Sequence, residues 1–128
     1  MNKTLPQTTP ERDLKKRTKQ FALRVIKLVE SLPRTQTARV IGDQLLRSST
    51  SVPANYRAAC RARSRAEFLA KLGIVEEETD ESVFWMEMLV DGGLMKNDRC
   101  ADLMSEGGQL TAIWVTSINT ARGKKRSR

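Results

Sequence analysis

Apolar residues spaced alternately by three and four positions constrain this chain more than any other feature, because that spacing draws one stripe along an α-helix and fits no β-strand. The first stripe is Leu14, Thr18, Phe21, Val25, Leu28 and Leu32. It stops before Pro33, which disfavours helical geometry in the residue preceding it, so a helix is predicted over about 13–32. A second stripe follows Thr35, a candidate N-cap, and runs through Ala38, Ile41, Leu45, Ser49, Val52, Tyr56 and Ala59. It crosses Pro53, whose ring removes one backbone hydrogen bond and crowds the carbonyl four residues back. With periodicity continuing on both sides, helix 2 is expected to be kinked at Pro53, near Ser49, and not broken.

Helix 3 is announced by Ser64-Arg65-Ala66-Glu67, a capping-box pattern in which the hydroxyl and the carboxylate each accept a free backbone N–H. Its stripe is Phe68, Leu72, Val75, Thr79, Ser82, Met86 and Leu89, ending at Gly92-Gly93, where glycine can adopt the left-handed cap conformation. Helix 4 starts near Asp98 and continues through Leu103, Gly107, Leu110, Trp114, Ser117 and Ala121 to Gly123. Four long helices with short connections predict an all-α, antiparallel up-down-up-down four-helix bundle. The chain has 128 residues, room for one core. The expected organisation is a flexible N-terminal segment 1–12, a bundle domain 13–122 and a basic tail 123–128.

Charge is unevenly placed. Residues 1–75 hold 16 basic and 5 acidic side chains, residues 76–121 hold 2 and 10, and residues 122–128 hold 5 and none, for a formal net charge of +8. Such a chain is dipolar as well as basic, and the excess positive charge suits an anionic partner. No apolar run reaches the length of a membrane span, and the first residues lack a signal-peptide core, so a cytoplasmic protein with no membrane partner is expected. There is no histidine and there are two cysteines, Cys60 and Cys100. Neither a transition-metal site, nor a cofactor site, nor a base-activated nucleophile is predicted, and both thiols read as reduced and inert. The expected protein is not an enzyme.

The stretch Gln44 to Asn55 (QLLRSSTSVPAN), the Ser64-x-x-Glu67-Phe68 element, Lys71 to Leu89 (KLGIVEEETDESVFWMEML) and the closing Ser117 to Arg122 (SINTAR) together resemble one family. It is that of the bacterial four-helix bundle proteins encoded by intervening sequences in 23S ribosomal RNA genes. The resemblance implies a left-handed bundle assembled as a homopentamer, without catalytic activity. A more distant similarity is to the accessory proteins of diversity-generating retroelements, pentameric bundles whose basic surface contacts nucleic acid and a reverse transcriptase. The chain departs from the family pattern after Pro53-Ala54-Asn55, where I-A-E-G is replaced by Tyr56-Arg57-Ala58-Ala59. Ala58 stands where the family has a glutamate, and the local charge is more positive.

Arg57, Arg61, Arg63 and Arg65 crowd the helix 2–3 junction, and guanidinium forks match phosphate oxygens. Two readings are open: a nucleic-acid contact, or pairing with the acidic segment of helix 3 in a neighbouring subunit. Lys124, Lys125 and Arg126 in the tail, with Lys15, Lys16, Arg17 and Lys19 near the other terminus, would add sequence-independent attraction for phosphates. No aromatic residue is interleaved with them, so readout of backbone and shape is expected. Glu76, Glu77, Glu78, Asp80 and Glu81 repel along one helix and require cations opposite, from Arg39 or Arg47 or from another subunit. Arg47, Ser51 and Asn55 share one helical face and can bind each other or a partner. Trp85 and Trp114 read as core or interface, and Gly107-Gly108 as a close-packing point. The leading expectation is a non-catalytic oligomer that associates with RNA or DNA, structured RNA first. The alternative is a protein-interaction scaffold or accessory subunit that binds no nucleic acid itself.

Overall fold

The computed structural model describes residues 10–123, which form four α-helices: α1 (Pro10–Glu30), α2 (Gln36–Cys60), α3 (Arg65–Asp91) and α4 (Asn97–Ala121). Each helix is bounded by local chemistry. α1 begins at Pro10, three residues before the start predicted from the stripe. Proline has no N–H to leave unpaired in a first turn, and Glu11 and Asp13 favour the positive end of the helix dipole. The Thr35 hydroxyl accepts the Ala38 N–H at 3.1 Å and so caps α2. At the start of α3, Ser64 Oγ accepts the Glu67 N–H and the Glu67 carboxylate accepts the Arg63 N–H, both at 3.0 Å. At its end, Gly93 has φ +74, and the Gly93 and Leu94 N–H groups return to the carbonyls of Val90 and Leu89. That double return needs a left-handed residue, which glycine supplies without a Cβ clash. α2 runs without interruption through Pro53.

Neighbouring helices pack as α1 with α2, α2 with α3, α3 with α4 and α1 with α4, and among the described residues no contact crosses a diagonal. The bundle is therefore a closed ring of four helices around one core. Phe21, Val25, Leu45, Val52, Leu72, Val75, Met86, Leu89, Leu110 and Trp114 are fully buried there. Burial of a large apolar side chain contributes about 1.5–3 kcal/mol, which is how the stripes become a fold. On α4 the last core position is Ile118, with Ser117 and Ala121 only half-buried, and Cys100 extends the core at the other end. A straight helix repeats every 3.6 residues and drifts from a strict heptad, so a four-residue step after Trp114 keeps the stripe facing inward.

The core is not wholly apolar. Thr18, Ser48, Ser49, Thr79 and Ser82 are buried. The Ser48 and Ser82 hydroxyls meet at 3.1 Å between α2 and α3, and the Trp114 indole N–H donates to Thr79 Oγ1 at 3.0 Å between α4 and α3. Among the described residues every buried side-chain polar atom has a partner. Gly107 permits the close approach of α3 and α4: a Cβ there would lie 2.6 Å from Val83 Cγ2.

Candidate nucleic-acid interface

Arg57 in the last turn of α2 and Arg61, its C-cap, stand four residues apart and exposed, and the turn after Cys60 adds Arg63. With Ala54, Ala58 and Glu67 these three arginines line a groove of about 410 Å³ open to solvent. Ala54 and Ala58, with one methyl group each, leave its floor unfilled. All four junction arginines are exposed. Arg65 lies in the first turn of α3, outside the lining of the groove. Glu67, the one carboxylate on the wall, accepts the Arg63 backbone N–H in the capping box. Among the described residues, none of the four guanidinium groups has a carboxylate within ion-pair distance. Lys124, Lys125 and Arg126 lie outside the described residues.

The acidic run of α3 finds its cation within the chain. Arg47 lies 3.3 Å from Glu78 and also hydrogen-bonds Glu81. Glu81 in turn accepts the Trp85 indole N–H at 2.9 Å, and these two donors hold its carboxyl below the usual carboxylate range. Arg39, the other cation considered for this run, instead lines a groove beside Arg34, Glu30 and Asp43. The polar face of α2 divides: Asn55 donates to the Ser51 carbonyl at 2.9 Å and to its hydroxyl at 2.8 Å, while Arg47 turns to α3. Trp114 is buried, its ring centroid 5.1 Å from that of Tyr56, and Trp85 is half-buried.

One contact has no signal in the sequence pattern. Arg17 of α1 holds Glu106 of α4 in a fork, with Nε and Nη2 at 2.7 and 2.9 Å from its two oxygens, and reaches Gln109 as well. Periodicity locates each residue on its helix but not the register between helices 89 residues apart. A second cavity, about 450 Å³, lies at the same end of the bundle as the arginine groove, walled by Glu11 and Leu14 of α1, Tyr56 and Cys60 of α2, Phe68 of α3 and Ser117 of α4. Burial, with a hydrogen bond to Glu11, pushes the Cys60 thiol up to about 11. Cys100 is fully buried, 3.4 Å from Met95 Sδ, and its thiol is also raised by burial. Among the described residues no cluster of carboxylates and thiols is arranged to hold a metal ion, and no helix is long and apolar enough to cross a membrane.

The sequence pattern of the 23S rRNA-intervening sequence protein family matches residues 11–115. The chain belongs to this family. A solved structure from Bacteroides thetaiotaomicron, described as a protein of unknown function from the S23 ribosomal protein family, is 30% identical and superposes with a TM-score of 0.77. The match covers 82% of this chain and 97% of that one. No curated protein matches the chain.

Proposed function

We propose that this family member associates with nucleic acid, structured RNA first, through the arginine groove at the α2–α3 junction, as a non-catalytic homo-oligomer. One observation carries the reading: Arg57, Arg61 and Arg63 share a groove and have no carboxylate partner among the described residues, whereas the acidic run of α3 is answered by Arg47. Exposed guanidinium groups around an open groove suit phosphate oxygens, which accept their forked N–H donors. The family name links these proteins to ribosomal RNA genes and is consistent with an RNA partner. Lys124, Lys125 and Arg126 would add attraction without sequence readout.

The test is electrophoretic mobility with structured RNA and duplex DNA across a salt series, comparing the wild type with Arg57, Arg61, Arg63 and Arg65 changed together to alanine. The wild type should bind with an affinity that falls steeply as salt rises, and the variant should lose that binding. If neither protein binds, the proposal fails, and the scaffold reading stands, with a protein partner that survives nuclease treatment as its own test.

A further inference from the structure

The groove is one wall of a larger basic end. Glu11, Leu14, Tyr56 and Cys60 line one cavity, which fixes the first turns of α1 against the last turns of α2. Lys15 follows Leu14, is exposed and is one turn beyond Glu11 on that side of α1. Lys15 thus stands beside the α2 turn that carries Arg57 and Arg61. Adjacent helix axes lie about 8–10 Å apart, and residues four apart on one helix are separated by about 6 Å along its axis. The cations therefore form a two-row array, not a single point. Glu11 is the carboxylate on this wall, and among the described residues no ion pair joins it to Lys15.

What this end lacks is a stacking platform. Tyr56 is buried and Phe68 half-buried. Phe84, the exposed aromatic among the described residues, is 19 positions along α3 from Arg65, about 28 Å away. A single strand gains much of its binding from bases stacked on aromatic rings, and this surface offers it none. A duplex presents phosphates from two strands, at twice the linear charge density of one, and each neutralised phosphate releases more counterion: about 0.9 per contact against 0.7 for a single strand.

Resting on the nucleic-acid reading above, we infer that the basic end, with Lys15 of α1 completing the groove of Arg57, Arg61 and Arg63, is a docking site for the phosphate backbone of a double helix. Readout of base sequence has no part in it. Four cations engaging four phosphates give a slope of about −3.6 in log affinity against log salt, or about 150-fold weaker binding between 50 and 200 mM.

The experiment uses the full chain and fluorescence anisotropy with four probes of about 20 nucleotides per strand: an RNA duplex, a DNA duplex of the same sequence, and an unstructured single strand of each. Tighter binding of either duplex than of both single strands, by about tenfold, supports the inference, and the preferred duplex identifies the source. Lys15→Ala should make the duplex slope shallower by about 0.9 while leaving the thermal midpoint unchanged. Single strands bound as tightly as duplexes overturn the inference yet leave the arginine groove as the binding site, provided Arg57→Ala with Arg61→Ala still weakens both. An unchanged slope for Lys15→Ala removes α1 from the site and also overturns it. Absence of binding to all four probes defeats both this inference and the reading on which it rests.

Discussion

Gly107 and Val83 form the tightest approach between α3 and α4, and a single methyl group decides it. Alanine at position 107 raises helix propensity by up to about 1 kcal/mol relative to glycine. Its Cβ would be 2.6 Å from Val83 Cγ2, closer than carbon atoms approach without movement. Overpacking of this kind costs about 1–3 kcal/mol, so Gly107→Ala should be net destabilising in urea unfolding. In a Val83→Ala background the same substitution should become neutral or stabilising. Cys60 allows a second test at the same scale. Its thiol, pushed up to about 11 by burial and the Glu11 contact, should be alkylated more slowly at pH 8 than a free thiol, with a rate that climbs toward pH 11. Glu11→Gln should shift that profile down. Gly107 was legible in the sequence because it occupies a stripe position where a large apolar residue is otherwise expected. The Cys60 environment was not legible, because it depends on which turn of α1 meets α2.

At the scale of the helices, capping and periodicity carried most of the information. Thr35, Ser64 and Gly93 act where their residue types predict, because caps depend on neighbours within a few positions. The stripe departs from the buried positions at the end of α4, where Ile118 replaces Ser117 as the drift of a straight helix accumulates, and early in α2, where Gly42 is buried and Ile41 only half-buried. The sequence gives no sign of the hydrogen bonds that fix one helix against another. Trp114 donates to Thr79 in a fully buried setting, so Thr79→Val leaves an indole N–H without an acceptor. Such a loss costs about 1–3 kcal/mol, whereas Thr79→Ser should retain most of the stability; chemical denaturation of the two variants separates the hydroxyl from the methyl group. The α2–α3 seam adds a pH dependence. Because Trp85 and Arg47 lower the folded-state pKa of Glu81, the seam's contribution is present above the ordinary carboxylate value of 4.5 and is lost as pH falls from there through the lowered value. Glu81→Gln should flatten the stability profile in that acid window and leave the neutral region less affected.

For the whole molecule, the question left by composition is whether the positive excess is consumed by assembly or left for a ligand. The fold answers part of it through placement. Segments distant in sequence, the first turns of α1 and the last turns of α2, converge at one end, while the acidic run of α3 is neutralised in part by Arg47 of the same chain. Neither fact follows from the stripes, which assign faces but not neighbours. Changing Arg57, Arg61, Arg63 and Arg65 together to alanine removes four exposed side chains that pair with no carboxylate among the described residues. Exposed substitutions of this sort each change stability by no more than about 0.5 kcal/mol, alanine favours helix, and mutual repulsion is relieved. The variant should therefore unfold within a few degrees of the wild type and show the same mass by light scattering, while nucleic-acid binding falls. A smaller mass would mean that these arginines reach the acidic helix of a neighbouring subunit. In that case the charge asymmetry along the chain serves assembly, and the groove is an interface between copies.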